Sequence, residues 1–336
     1  MPYSARITAL IPTYNCERYI CETVESVLAQ TLPAHEVIVV DDGSTDDTQQ
    51  ALARYGTRIR YVRQANAGPP AARNNGIALA TGDLIALLDS DDLWLPNKLE
   101  RQMRYLDQHP RCGLVYSDMK TFDETGVIEE SVKVSRNLTL PSGHIFPQMF
   151  AETLFQTSAV LLRKTCIDHV GGFDTSLRMG DDYEFFLRIS RHYELGYIDE
   201  PLVLYRQHPQ QGTRTWGKEL QQGAPWEFLV LKRIVDLYPE IYGELGKAKV
   251  NHRLAKPYAA LAYACLNEGD PKDVRALLRR ALRYWPGNLS YWRYYLLSFL
   301  DHSAVTKIQG RQRKRKSLAF DRCESTPPER HQASAK

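Results

Sequence analysis

The sequence predicts an α/β fold, a mostly parallel sheet covered by helices on both faces, with an all-helical appendage at the C-terminal end. Three observations carry that expectation. Through the first 120 residues, short runs rich in Ile, Val and Leu alternate with amphipathic helical patterns, the signature of strands buried on both faces. From Trp226 onward the pattern is helical, with no convincing strand. A chain of 336 residues with 43% hydrophobic content can bury one large α/β core with an addition to it.

In chain order, strands are expected at Ile7–Ile11, Val37–Val40, Ile59–Val62, Leu84–Leu88 and Gly113–Tyr116. Helices at Tyr19–Ala29, Thr45–Tyr55, Ala71–Ala80 and Asn97–Gln108 fill the gaps. The next stretch, roughly 120–210, is less regular; Val160–Leu162 and Leu202–Tyr205 read as further strands, and a helix runs from Asp181 to about His192. Pro257–Asn267 and Pro271–Trp285 form a helical hairpin of tetratricopeptide type, broken at Glu268–Pro271 and ended at Pro286–Asn288. One such repeat buries too little apolar surface to stand alone and should dock on neighbours. The expected boundaries are a first domain over 1–215, a helical region over 216–305 and a basic, disordered tail over 306–336.

Composition narrows the function classes. The net charge is +3, but Lys307–Lys336 holds nine Lys/Arg against three Asp/Glu, so the body before it is mildly acidic. Nucleic acid is therefore not an expected partner. No apolar run reaches the roughly 18–20 residues of a membrane span, and the N-terminus enters a strand at once, leaving no room for a signal peptide. Six Cys without a CxxC pair speak against a zinc cage or disulfide framework and for a reducing cytoplasm.

In parallel α/β sheets, ligands bind beyond the C-terminal ends of the strands. The first strand ends in IleProThrTyrAsn (Ile11–Asn15), with no Gly between Met1 and Gly43. That disfavours a dinucleotide-binding Rossmann turn and nucleotidyltransferases with a Gly-rich first loop. The second strand ends in ValValAspAspGlySerThrAsp (Val39–Asp46); a carboxylate here can accept hydrogen bonds from a base or ribose. Alternatively Asp41, Asp42 and Ser44 shape a turn and cap the next helix. The fourth strand ends in LeuLeuAspSerAspAsp (Leu87–Asp92). Three carboxylates in four positions repel one another unless a cation sits among them, and hard oxygen ligands suit Mg²⁺ or Mn²⁺; the plainer reading is a solvated acidic turn. Arg73, in Gly68–Gly76, stands on a helix aimed at that edge, where its planar fork suits phosphate or a surface salt bridge.

These motifs, in this order and spacing, resemble the family 2 glycosyltransferases of the GT-A fold. The similarity continues through GlyGlyPheAsp (Gly171–Asp174), GlyAspAspTyrGluPhePheLeuArg (Gly180–Arg188) and TyrArgGlnHis (Tyr205–His208), covering about residues 5–210. The resemblance implies a nucleotide-sugar donor, most simply a UDP-sugar, a divalent metal (Mn²⁺ or Mg²⁺), and transfer with inversion. Carried over by position, Pro12 and Tyr14 line the base pocket and Asp42 binds the base, with Asp41 as the alternative. Arg73 faces the diphosphate. Asp89 and Asp91 form an Asp-x-Asp element, both candidates for the metal, Asp91 foremost and Asp89 also touching the donor. Asp181-Asp182 stands where the family usually has Glu-Asp; Asp182 matches the catalytic base, Asp181 its neighbour. Both could instead complement the helix dipole. His208 approaches the diphosphate or metal from a closing loop, or is a polar loop residue.

The implied setting is cell-surface polysaccharide or glycolipid assembly, with a saccharide or lipid-linked acceptor. The aromatic run Tyr291–Leu300 followed by Arg311–Lys316 could rest on the inner face of an anionic membrane, or the tail could be solvated. Two other readings stand beside the transferase: a sugar-phosphate nucleotidyltransferase, and a non-catalytic scaffold binding partners through its helical region.

Overall fold

The computed structural model describes residues 5–211, 220–221, 224–265 and 271–299. The chain divides into two compact units, Met1–Gly246 and Lys247–Lys336.

In the first unit, β1 (Ile7–Thr13), β2 (Glu36–Asp41), β3 (Arg60–Arg63) and β4 (Leu84–Leu87) alternate with α1 (Ile20–Leu28), α2 (Thr48–Ala53) and α3 (Pro69–Leu79). Then follow β5 (Leu93–Trp94), α4 (Lys98–Gln108), β6 (Cys112–Asp123), β7 (Gly126–Glu129), α5 (Val132–Ser135), α6 (Phe146–Ala151) and β8 (Val160–Arg163). The unit closes with α7 (Lys164–Val170), α8 (Asp181–His192), β9 (Glu194–Arg206), β10 (Leu220–Gln221), β11 (Ala224–Pro225), α9 (Trp226–Leu237) and α10 (Ile241–Leu245). The main sheet has the order β3-β2-β1-β4-β8-β6-β9-β5, with β7 beside β6. Strands β3, β2, β1 and β4 are mutually parallel, as are β6 and β9, while β8 runs antiparallel between β4 and β6. This is a GT-A-like sheet, and its apolar strands carry the core: every residue of β1 and β4 is buried.

Register sets the location of the site. Thr13 pairs with Asp41 and Leu10 with Leu87, so the polar segments after β1, β2 and β4 leave the sheet at one edge. Helix α3 lies unusually close to β1, because a Cβ at Gly76 would stand 2.1 Å from a Leu10 methyl. Only glycine permits that approach.

Several elements depart from the sequence expectation; β6 runs on to Asp123, past the expected end at Tyr116, and two others depart around a proline. Strand β9 begins at Glu194 and carries Pro201 inside it; its register against β6 shifts on both sides of Asp118, the partner of Pro201. A proline in a sheet is tolerated at such an irregularity. In the second unit, α11 (Lys247–Cys265) starts ten residues before the expected Pro257, which lies buried within the helix. Proline favours the first turn of a helix, where its missing N–H leaves no bond unmade, but here α11 packs against α12 (Pro271–Tyr284) and the helix runs through it. Helix α13 (Leu289–Leu297) packs on α12 in turn. Of the expected break at Glu268–Pro271, residues 268–270 lie outside the described residues, as does the expected tail over 306–336.

Candidate active site

The ends of β1 and β2 make one flank of the site. Pro12 is buried, Tyr14 is 47% exposed, and Asn15 takes a left-handed φ of 47°. That conformation lets the Asn15 side chain accept from the Thr45 N–H at 2.7 Å while its own N–H donates to Ser44 Oγ at 3.0 Å. Asp41 is fully buried; it accepts from the Ser44 N–H at 2.7 Å and from the Tyr61 hydroxyl at 2.6 Å. Asp42 accepts from Gln64 Nε2 at 2.8 Å and from the N–H groups of Ala67 and Gly68 at 2.9 and 2.7 Å. It thereby fixes the loop that enters α3.

Four successive residues of α3 each have separate work. Arg73 is 6% exposed, so it is not a surface ion pair. Its Nη1 donates to Asp181 at 2.6 Å and its Nη2 to Asp89 at 2.8 Å, with the ring of Phe173 5.4 Å from the guanidinium carbon. Asn74 closes a reciprocal pair with Phe173, donating to its carbonyl and accepting from its N–H, both at 2.8 Å. Asn75 donates to Gln64 at 2.7 Å, and Gly76 allows the contact with β1. The one-residue steps around the helix thus join the loop after β3, the strand end of β4 and the GlyGlyPheAsp segment.

After β4, the Asp-x-Asp element divides its roles. The Asp89 N–H donates to Ser158 Oγ at 3.1 Å. Asp91 meets His208 Nε2 at 2.9 Å, and its carbonyl accepts from Arg206 Nε at 2.8 Å. Asp92 is 1% exposed, accepting from Ser158 Oγ at 2.5 Å and the Arg206 N–H at 3.0 Å; it is no solvated turn residue but a tether between the acidic turn and the end of β9. The Arg206 guanidinium lies against Tyr19 and Phe122, at 4.6 and 4.5 Å, and donates to Glu22. The His208 ring packs on Tyr19 at 4.8 Å, and its Nδ1 is buried with no hydrogen-bond partner among the described residues.

Helix α8 brings the second acidic pair to the same edge. Gly180, at φ 76°, starts the helix against Trp226 and Val230 of α9, whose atoms a Cβ at 180 would meet at 2.5 and 2.9 Å. Asp181 points into the protein towards Arg73. Asp182 is half-buried, and its Oδ2 accepts from Thr157 Oγ1 at 2.9 Å. Burial pushes the Asp181 carboxyl up to about 7; Arg73 opposes this, and the charges of Asp182 and Asp89 add to it. Burial also raises Asp89, against the pull of Arg73, and raises Asp92 further, with Asp91 and Asp89 repelling it. Among the described residues the edge is therefore short of positive charge.

Among the described residues, no three His, Cys, Asp or Glu side chains form a ready-made metal cage. The donor types that do meet, the Asp91 carboxylate, the His208 imidazole and the nearby Asp89, suit a divalent cation that completes its shell with substrate phosphates. Sequence reasoning missed Thr157, Ser158 and Arg206. The first two stand immediately before the apolar run of β8, a polar pair at a strand start; Arg206 stands two residues before His208.

A model described as "Glycosyl transferase family 2" matches residues 8–168. An uncharacterized glycosyltransferase of Nostoc sp. (strain PCC 7120) is 34% identical over 321 residues, 89% of this chain and 95% of that protein. The chain spans about a third of the length of the first curated relatives it matches, uncharacterized glycosyltransferases of Rickettsia felis and Rickettsia conorii at 33% and 34% identity over 61% and 60% of this chain. Among solved structures, S. aureus TarS 1–349 in complex with UDP-GlcNAc gives a TM-score of 0.59 at 19% identity, covering 87% of this chain and 79% of that one. A mannosyltransferase from Pyrobaculum calidifontis in complex with GDP-Man and Mn²⁺ gives 0.54 at 19% identity, covering 92% and 87%. At these identities the likeness to solved structures is one of fold.

Proposed function

The chain belongs to glycosyl transferase family 2, and on that premise we propose that it is a metal-dependent, inverting transferase moving sugar from a nucleotide-sugar donor to a hydroxyl of a saccharide or lipid-linked acceptor. One observation carries the reading. Arg73 joins Asp89 to Asp181, so the Asp-x-Asp element and the acidic start of α8, which lie far apart in sequence, act at one sheet edge.

In this reading Pro12 and Tyr14 line the base pocket. Asp42, or Asp41 beside it, receives the base through the loop end that it organises, and Arg73 aligns the acidic groups flanking the diphosphate. Asp91 and Asp89 hold the cation, with His208 beside them. A bound Mn²⁺ or Mg²⁺ supplies charge compensation to the departing diphosphate. Asp182 takes the proton from the acceptor hydroxyl as that oxygen bonds to the sugar C1 and the C1–phosphate oxygen bond breaks on the opposite face. No covalent intermediate is needed, so one base suffices. Asp181 is held away from the acceptor by Arg73 and seats the helix start. The relatives support a donor of nucleotide-sugar type: TarS was solved with UDP-GlcNAc and the Pyrobaculum enzyme with GDP-Man and Mn²⁺. Cell-surface polysaccharide or glycolipid assembly is the setting we infer for it.

The test is a panel of UDP- and GDP-sugars, scored for nucleoside diphosphate release with Mn²⁺, with Mg²⁺ and with chelator. Metal-dependent release from one donor is the expected result. Release that is indifferent to chelator would remove the cation from the mechanism, and no binding or turnover of any nucleotide sugar would remove the function.

A further inference from the structure

Three successive carbonyls at the start of β8 each accept a hydrogen bond from a side chain of β5 or α4. Trp94 Nε1 donates to the Ser158 carbonyl at 3.0 Å, Gln102 Nε2 to the Ala159 carbonyl at 2.7 Å and Lys98 Nζ to the Val160 carbonyl at 3.2 Å. The three donors also hold one another. Lys98 opens α4 and Gln102 stands one turn further along the same face; Lys98 Nζ donates to Gln102 Oε1 at 2.7 Å and stands 4.3 Å from the Trp94 ring centre. Lys98 and Gln102 are fully buried, and Trp94 nearly so. The carbonyls they meet belong to a short 3₁₀ turn, Thr157–Ala159, and to the first residue of β8. Such a turn makes poor hydrogen bonds of its own, and buried carbonyls need partners.

A lysine is a costly way to meet that need. Its hydrogen bonds go to two neutral oxygens, and burial holds the amine well below its usual range. Taking an amine out of water without a counter-charge is unfavourable, and an unbranched methionine would fill the same space. Packing alone does not account for Lys98; what it adds is a donor at a fixed place. The turn it holds carries the two hydroxyls that join the acidic segments. Thr157 Oγ1 donates to Asp182, while Ser158 Oγ donates to Asp92 and accepts from the Asp89 N–H. We propose that Lys98, together with Gln102 and Trp94, is a positioning residue for sugar transfer. The cluster fixes the peptide planes from Ser158 to Val160, and so sets where Asp182 stands relative to the Asp-x-Asp turn. Its effect on rate rests on the transferase reading; its effect on the turn does not.

Lys98→Met and Trp94→Phe each remove one donor while keeping most of the buried volume, and the full chain is read in two ways. The first is amide exchange over Leu87–Asp92, where the Asp89 N–H depends on Ser158 Oγ. Both variants should speed that exchange at least about tenfold, with an unfolding midpoint near wild type. The second is steady-state transfer: kcat should fall about ten- to a hundredfold, a larger factor than any rise in donor KM. In a Thr157→Val background the same substitutions should lower kcat less than about threefold further, because the path to Asp182 is already cut. Exchange and kcat both equal to wild type overturn the proposal. So does a kcat loss that adds in full to that of Thr157→Val, or one that tracks a lowered unfolding midpoint in both variants, since either would make the cluster ordinary core. A wild-type chain that turns over no nucleotide sugar fails the transferase reading instead, and the exchange result then decides by itself whether the cluster fixes the turn.

Discussion

The turn after β2 and the turn after β4 both follow a buried strand with closely spaced Asp residues, yet their carboxylates keep different company. After β2, Asp41 and Asp42 receive neutral donors only, among the described residues: the N–H groups of Ser44, Ala67 and Gly68, the Tyr61 hydroxyl and the Gln64 amide. After β4, Asp89, Asp91 and Asp92 stand with Asp181 and Asp182, and Arg73 is shared between two of the five. Arg206 spends its side chain on the Asp91 carbonyl and on Glu22. The first turn is a frame whose negative charges are already solvated by the protein. Among the described residues the second keeps an excess of charge that burial makes costly, which is why it is the turn proposed to take the cation.

The contrast can be broken most sharply at Asp182. Asp182→Asn keeps the shape of the helix start but removes the proton acceptor, so transfer should fall about 10²–10⁴-fold while donor nucleotide affinity stays near wild type. Asp181→Asn should be milder; a dead Asp181 variant beside an active Asp182 variant would move the base by one residue. Next is Asp91→Ala, which should abolish the Mn²⁺-dependent part of nucleoside diphosphate binding because a direct ligand is lost, read by calorimetry with and without the ion. Metal-dependent affinity equal to wild type would take Asp91 out of that role.

A smaller effect belongs to Thr157, which acts through Asp182. Loss of a hydrogen bond to a charged group is worth about 1.5–3 kcal/mol, so Thr157→Val should slow transfer at least about tenfold with donor KM unchanged, and Thr157→Ser should restore it. On the β2 side, Tyr61→Phe leaves a buried oxygen of Asp41 without its hydroxyl donor. A loss of about 1–3 kcal/mol in unfolding free energy is expected, with the transfer rate unaltered. A rate loss without a stability loss would place the first turn among the reacting groups and erase the distinction.

Much of this was legible before the structure, but unevenly. Strand ends could be read because buried runs such as Leu84–Leu88 stop abruptly at polar residues, and the rule for parallel sheets says which ends face a ligand. The partners could not. That Arg73 reaches Asp181, 108 positions away, depends on how α3 and α8 lie across the sheet, and local periodicity carries no such information. Thr157 and Ser158 escaped notice for the same reason: a Thr-Ser pair before a strand is ordinary, and only its contacts with Asp182 and Asp92 give it a role. Asp92 shows the converse. It sits in the most conspicuous acidic motif of the chain, yet its two oxygens are committed to holding Ser158 and the β9 end.

The close seating of Gly180 against Trp226 and Val230 bears on how short the enzyme can be made. A chain cut soon after β9 would keep every motif that resembles the family, and by sequence alone it would pass as a whole catalytic domain. It would also expose the glycine on which α8 begins, leaving the first turn of that helix without the indole that backs it. Asp181 and Asp182 belong to that turn. Fragments ending near residue 215 should therefore bind nucleotide through the strand ends yet turn over poorly, and those extended through Gly246 should recover the rate.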